Sequence, residues 1–455
     1  MSTIVVLFTR DLRVRDQAAL ASAVRAVDRV VPLFVFDDVL LGGECGSPNR
    51  LSFLLDSLHD LDRSLRERGG RLVVRRGDPA EEALRLAEEC GAEAIHLSED
   101  FSAHAKRRLE RLWEGCDRQL IGLRTYSGVT VIPPGTLAPA GGDHYRVFTP
   151  YWRVWKDAPR PPRYPAPRQI SVPAKVRDGR LPSLVKMASA SPSPDLPTGG
   201  EDAARRRLEA WVRSGLGGYE DGRDDLAAAE TSQLSADLHF GCLSPATVLR
   251  RVEGRLGGEG FIRQLCWRDF HHQVLAARPD LPYADYRPRG DRWHRDKRMA
   301  EAWKAGLTGY PIVDAGMRQL AREGFMHNRA RMIVASFLTK TLYLDWRVGA
   351  AHFAELLVDA DLANNNGNWQ WIAGTGNDTR PNRVLSPLRQ AHRFDPEGEY
   401  VRRYVPELAG VEGKAVHEPW LLDPEEQWAL DYPEPLVDHE EAAAAFLGLR
   451  ENARG

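Results

Sequence analysis

"PNRLSFLLDSLHDLDRSLRERGG" occupies Pro48–Gly70, between "DRVVPLFVFD" (Asp28–Asp37) and "RLVVRRGD" (Arg71–Asp78). Leu51, Leu54, Leu55, Leu58, Leu61 and Leu65 recur at i, i+3, i+4 spacing and Gly69 follows the last of them, which predicts an amphipathic helix with a glycine stop. The two flanking runs are short and β-branched, as are "TIVVLFT" (Thr3–Thr9) and "AEAIHLSED" (Ala92–Asp100). Strands that alternate with helices predict a parallel sheet covered on both faces. The first strand runs into "TRDLRVRD" and not into G-x-G-x-x-G, so the dinucleotide fingerprint is absent.

Composition changes from about Ala158 to Gly200, where "APRPPRYPAPRQISVPAK" and "ASASPSPDLPTGG" predict a long connection over the surface. Beyond Glu201 the segments "EDAARRRLEAWV", "SPATVLRRVEG", "EGFIRQLCWRDFHHQVLAA", "PIVDAGMRQLAREG", "HNRARMIVASFLTKTLYLDW" and "GAAHFAELLVDAD" all read as helices. Ser244-Pro245 is an N-cap followed by proline at the first helical position. The expected organisation is an α/β domain over 1–132, a linker over 133–200, a helical domain over 201–445 and a tail over 446–455.

The chain has 455 residues and a net charge of −2, so no global basic field announces a nucleic-acid partner, although basic residues can still gather on one face. The start lacks a signal-peptide pattern, no stretch of about 20 apolar residues occurs, and five scattered cysteines form no CxxC. A reduced cytoplasm, no membrane span, no metal site and a monomer are the expectations.

Four groups carry the chemistry. On a helix, "FIRQLCWRDFHH" sets Gln264, Trp267, Arg268 and His271 on one stripe, and "MHNRARM" sets Asn328, Arg331 and Met332 together. Each mixes an amide, an arginine and a large apolar side chain, suited to a concave site for a flat polar ligand. "ETSQLSADLHFG" offers the hydroxyls of Thr231, Ser232 and Ser235, which suit a phosphate but equally an ordinary Ser/Thr-rich cap. "DADLANNNGNWQWIAGTGND" (Asp359–Asp378) adds amides, two indoles and two acids with no nucleophile nearby. "YRPRGDRWHRDKR" (Tyr286–Arg298) reads either as a basic rim or as a solvated charge run.

Together "YEDGRDDLAAAETSQLS", "QLCWRDFHHQVL", "GYPIVDAGMRQLAREGFMHNRARMIVASFLTK", "DWRVGAAHFAELLVDADLANNNGNWQW" and "FDPEGEYVRRYVPEL" resemble successive blocks of the DNA photolyase/cryptochrome flavoprotein family. The resemblance covers nearly the whole chain and is nearest to the class I cyclobutane pyrimidine dimer photolyases of the deazaflavin type. It implies FAD in the helical domain, with its phosphates at the blocks containing Tyr219, Thr231, Ser232, Gln233, Leu234 and Ser235. Arg268 matches a flavin-binding arginine, and Arg331 with Asp359 matches an ion pair flanking the ring. Asp361 and Asn365 match positions at the ring edge, Asn365 being the one that faces N5, where a neutral amide suits the reduced flavin.

The resemblance also implies an electron-transfer chain from Trp369 through Trp346 to Trp293. Trp371 and Trp267 match indoles lining the cavity for the damaged bases, with Gln264, Asn328 and Met332 beside them. Arg223, Arg329 and Arg383 match positions that meet DNA phosphates. No nucleophile is needed, because one electron from the light-excited flavin splits the cyclobutane ring and then returns. "SEDFSAHAKRR" lacks the folate-type pattern, so the implied antenna is 8-hydroxy-5-deazaflavin, with methenyltetrahydrofolate as the alternative.

The match departs at several places. Gln264 stands for a usual glutamate, Gln233 for an arginine and Phe325 for a tryptophan, and Asn377, Ser386 and His392 differ in the DNA-facing block. Gln264 brings in a (6-4) photolyase as an alternative, against which Asn328 and Met332 are of the dimer type. A cryptochrome-like blue-light receptor is the other alternative.

Overall fold

The computed structural model describes residues 2–43, 46–228 and 230–452. Five strands, β1 (Thr3–Phe8), β2 (Arg29–Phe36), β3 (Val73–Arg76), β4 (Ala94–Ser98) and β5 (Gly122–Tyr126), form one sheet in the order β3-β2-β1-β4-β5. Every pairing is parallel, with Val5 opposite Val31 and Ile95. β1 is buried along its whole length, as a central strand covered on both faces must be. β5 lies at an edge and buries only Leu123 fully, so "GLRTY" carries no continuous apolar run and gives no strand signal in the sequence.

The predicted helix over Pro48–Gly70 spans Pro48–Arg66, with Ser47 as N-cap, proline in its first turn, and Leu51, Leu55, Leu58, Leu61 and Leu65 buried. Gly69 lies past its end at φ 80°, a conformation that favours glycine. Ser244 accepts from the Thr247 amide and caps Pro245–Val252 as the sequence predicts.

The segment "HNRARMIVASFLTKTLYLDW" is not one helix. An α-helix over Asn328–Ser336 passes into a π-helical turn over Phe337–Thr341 and stops; Tyr343 takes φ +50°, and Asp345 caps a new helix, Trp346–Leu356. The expected surface linker is also partly inside. Helix Phe148–Asp157 buries Phe148, Tyr151 and Trp155, and the Ser171 and Asp178 carbonyls accept from the Val30 and Val74 amides. Residues 446–452, expected as a tail, continue helix His439–Asn452, where Phe446 is buried and the Arg450 guanidinium donates to the Ala373 carbonyl.

The stretch that replaces the dinucleotide fingerprint joins the two halves of the chain. The Leu12 amide donates to the Phe240 carbonyl at 3.2 Å, Arg13 to the Gly241 carbonyl at 2.9 Å, and the Val14 amide to the Glu201 carboxylate at 2.8 Å. A Cβ on Gly241 would lie 2.0 Å from the Arg10 carbonyl oxygen, so the close approach requires glycine there. No helix among the described residues is long and apolar enough to cross a membrane.

Candidate active site

Helix Leu362–Ala373 carries the asparagine–tryptophan block. Its N-cap is Asp361, whose Oδ1 accepts from the Asn364 amide at 2.9 Å. From this start, Asn364, Asn365, Asn368, Trp369 and Ile372 recur at helical spacing along one stripe. They form one wall of a cavity of about 420 Å³. Helix Gly258–Ala277 supplies Gln264, Trp267, Arg268 and His271 to a second wall, and helix Asn328–Ser336 supplies Asn328, Arg331 and Met332 to a third. Ser232, Leu234 and Ser235 close one end, and Asp359, Asp361 and Trp371 complete the lining. The two stripes and the amide-rich block therefore meet at one site.

The polar groups inside are held by identifiable partners. Arg331 pairs with Asp359 at 2.9 Å, while Asp359 Oδ1 is buried without a hydrogen-bond partner. Asn365 donates its NH₂ to the Ala350 carbonyl at 3.0 Å, and this orients its Oδ1 as the free acceptor. Asp361 accepts from Arg10 of the loop after β1 through its other oxygen, which ties the cap of this wall to the α/β domain. Burial pushes the Asp361 carboxyl up, but His272, Arg10, His239 and Arg268 outweigh it and hold the group well below the usual carboxylate range. Burial pushes His271 down to about 4, so its imidazole is neutral at physiological pH, and its Nδ1 has no hydrogen-bond partner. Neutral amides, one fixed ion pair and unpaired buried polar atoms at Asp359 and His271 fit a flat, polar, hydrogen-bonding cofactor such as FAD.

At the mouth, Gln264 is exposed, and among the described residues its amide has no hydrogen-bond partner. Trp267 is half-buried, with one face stacked on Phe148 at 3.7 Å and 3° between the ring planes. Phe148 lies on the segment expected to be linker, and no local pattern links it to Trp267.

The remaining expected residues lie outside the cavity lining. Tyr219 is buried edge-on against Trp211 and Phe261. Thr231 is half-buried, and Gln233 is exposed with φ +51°. Arg223 is half-buried and Arg383 exposed. Arg329, expected at DNA, turns inward: it pairs with Asp224 at 2.8 Å and lies 4.2 Å over the Phe394 ring. The departures have local roles. Asn377 donates to the Arg146 carbonyl, Ser386 caps helix Pro387–Phe394, His392 lies 3.4 Å from Glu418, and Phe325 lies 5.5 Å from the Arg331 guanidinium.

The three tryptophans lie in one apolar cluster, in which Trp346 and Trp369 are buried and Trp293 is half-buried against Tyr343 at 5.0 Å. Gly349 follows Trp346 by three residues on the same helix, and the Trp369 ring tip packs on it, which puts Trp369 one turn from Trp346. A parallel bridge between His294 and Leu344 brings the chain at Trp293 beside the chain that leads into Trp346.

Comparison with known proteins places this geometry. The FAD binding domain of DNA photolyase matches residues 261–451, and the DNA photolyase domain matches residues 4–168. A deoxyribodipyrimidine photo-lyase of Streptomyces griseus is 54% identical, with 100% of each chain covered. The chain belongs to the DNA photolyase/cryptochrome family. As a deoxyribodipyrimidine photo-lyase by this likeness, it is a light-dependent DNA repair enzyme with a FAD-binding helical domain. It also shares 37% identity with a cryptochrome DASH of Gloeobacter violaceus, over 97% of this chain and 94% of that one. Among solved structures, a class III photolyase from Agrobacterium tumefaciens superposes with a TM-score of 0.93 at 34% identity, covering 100% of this chain and 98% of that one. The family match restores the α/β-plus-helical architecture read from the sequence, while the class I subtype expected there has this class III photolyase structure beside it.

Proposed function

We propose that this photolyase splits cyclobutane pyrimidine dimers in DNA. The carrying observation is the lining of the 420 Å³ cavity, which includes two half-buried indoles, Trp267 and Trp371, and an exposed amide, Gln264, with no hydrogen-bond partner among the described residues. When bound, FAD supplies the light-driven one-electron chemistry. Ser232, Leu234 and Ser235 would hold its phosphate end, and Arg268, Arg331, Asp359, Asp361 and Asn365 would hold its ring. Tyr219, Thr231 and Gln233 shape the phosphate loop from outside the lining. The chain keeps His271 neutral, so no added positive charge sits beside the ring at physiological pH.

A dimer swung out of the duplex leaves base stacking at a cost of a few kcal/mol. Stacking on Trp267 and Trp371 offsets this by roughly 1–3 kcal/mol per base. The Phe148 stack presets the Trp267 ring, so it loses no rotamer freedom on binding. The Gln264 amide donates to a pyrimidine carbonyl without needing protonation. Asn328 and Met332 complete the lesion wall, and Arg223, Arg329 and Arg383 stand toward the phosphates, Arg329 after release from Asp224. Trp369, Trp346 and Trp293 would offer a path of indoles from the surface toward the cofactor site, along which electrons could be supplied inward. Flavin and DNA chemistry thus belong to 201–445, and the antenna to 1–132.

Blue-light repair of a defined thymine dimer, run beside a (6-4) lesion in the same duplex, tests the reading. Repair of the first lesion alone is expected; repair of the second alone overturns it. Turnover on neither lesion overturns the reading as well. For the subtype we propose class I with 8-hydroxy-5-deazaflavin. Acid extraction and spectroscopy of the second chromophore distinguish it from methenyltetrahydrofolate.

A further inference from the structure

The π-helical turn Phe337–Thr341 sends one charged side chain into the interior. Lys340 is 2% exposed, with its ammonium 5.8 Å over the Phe446 ring. That ammonium donates to the Pro381 and Arg383 carbonyls at 3.0 and 2.5 Å. Both carbonyls belong to the loop 374–386, which joins the helix of Trp369 and Trp371 to helix Pro387–Phe394. The ends of this loop have other holds. The Thr375 carbonyl accepts from the Arg287 amide at 2.7 Å, Asn377 donates to the Arg146 carbonyl at 2.9 Å, and the Leu385 amide donates to the Ser336 hydroxyl at 3.1 Å. Across the tip, 379–384, Lys340 is the one residue outside the loop that makes a hydrogen bond, among the described residues. The tip carries Arg380 and Arg383. Both are exposed, and among the described residues neither has an ion pair or side-chain hydrogen bond.

We propose that Lys340 is a positioning residue for DNA binding, whose ammonium fixes the backbone from which Arg380 and Arg383 reach the phosphates. The proposal rests on the reading of Arg383 as a phosphate contact. Lys340 itself is too buried to touch DNA. It acts by ordering the tip beforehand, so that less freedom is lost when the duplex binds. Closing two carbonyls needs only a neutral donor, whereas a buried ammonium carries a desolvation cost. Its charge therefore has a consequence. Burial pushes the ammonium down to about 7; Arg450 and Arg383 push the same way, and Asp378 and Asp291 oppose them. Below that pH both bonds are charge-assisted; above it they come from a neutral amine and are roughly half as strong. The tip then loosens, and affinity for the duplex falls.

The test is fluorescence anisotropy of a labelled duplex containing a thymine dimer, with the FAD-loaded full chain in the dark. Between pH 6 and 8.5 the Kd is expected to rise about fivefold at 0.15 M salt, the weight of one phosphate contact with a salt slope near 0.9. Lys340→Met keeps the apolar stem, and should hold Kd at the high-pH value throughout. Lys340→Gln, which donates without charge, should give the same flat profile, and it replaces Lys340→Met if that protein loses FAD. Arg380→Ala combined with Arg383→Ala should make the salt slope shallower by about 1.8. Adding Lys340→Met to that pair should change Kd by less than about twofold, because its effect passes through those two side chains. An undiminished effect of Lys340→Met in the paired background overturns the proposal, since the charge would then act through space or on the fold at large. So does a natural pH profile retained in both Lys340 variants. The underlying reading fails separately, and takes the proposal with it, if the arginine pair leaves Kd and salt slope unchanged.

Discussion

Gly349→Ala separates two opposing effects at the heart of the site. Replacing a glycine by alanine inside a helix ordinarily stabilises by up to about 1 kcal/mol. Here the new methyl would lie 2.1 Å from Cη2 and 2.5 Å from Cζ3 of Trp369. Carbon atoms rest at about 3.5–4.0 Å, so the indole must retreat by roughly 1.4 Å. Away from the cavity that it lines, it has little room to do so. Trp369 is 3% exposed and is boxed edge-on by Phe353 at 4.9 Å and Trp303 at 6.0 Å. Overpacking of this kind costs about 1–3 kcal/mol and exceeds the helix gain, so a net loss of about 1 kcal/mol is expected. Gly448→Ala is the control. It lies within helix His439–Asn452 with no atom within 4 Å of the added methyl, and should gain about 0.5–1 kcal/mol. Urea denaturation of both variants gives the two signs. Gly349→Ala should also retain less FAD through gel filtration, because Trp369 lines the cavity. A Gly349→Ala protein as stable as Gly448→Ala, with full flavin content, would refute the packing of Trp369 on this helix.

Trp293→Phe is expected to block photoreduction of oxidised FAD and to spare repair by enzyme reduced beforehand; equal loss of both removes Trp293 from the relay. Gln264→Leu should weaken lesion binding or single-turnover repair by roughly 1–3 kcal/mol, since a pyrimidine carbonyl is left unpaired. Gln264→Glu should add a pH-dependent loss as the carboxyl ionises, and a Gln264→Leu protein equal to the natural one would displace the lesion pocket from this residue. His271 should keep a neutral imidazole from pH 8 to 5.5, read by its ring ¹³C and ¹⁵N shifts, because burial holds it at about 4. Its unfolded form takes a proton near pH 6.5 that the folded form refuses. This residue therefore favours folding fully above pH 6.5 and progressively less as pH falls through about 4. A titration midpoint near 6.5 in the folded protein would show the ring to be solvated.

What the sequence made legible was set by the range of the interactions involved. β1 to β4 and the helix over Pro48–Arg66 follow from spacing within 20 residues, and so do the stripes Gln264–Trp267–Arg268–His271 and Asn328–Arg331–Met332. β5 escaped because an edge strand with one fully buried side chain needs no apolar alternation. The break after Ser336 escaped because "FLTKTLYL" contains no glycine or proline to signal a stop, and periodicity cannot register that Lys340 must leave the helical path. Its ammonium is buried and donates to the Pro381 and Arg383 carbonyls of a distant loop at 3.0 and 2.5 Å.

The loop after β1 gives the same lesson its functional form. "TRDLRVRD" was legible only as the absence of a nucleotide-binding fingerprint. Its positive content lies in partners more than 180 residues away: Phe240 and Gly241 for Leu12 and Arg13, Glu201 for Val14, and Asp361 for Arg10. The last contact matters most. Asp361 caps the helix that carries Asn365, Trp369 and Trp371, so the α/β domain helps fix the N-terminal end of the wall on which those side chains are arrayed. Arg10 is mostly buried, at 20% side-chain exposure, and Asp361 more so at 6%, so the pair is poorly screened by salt. The α/β domain therefore bears on the cavity through this cap and also through Arg268, whose guanidinium donates to the Val129 carbonyl.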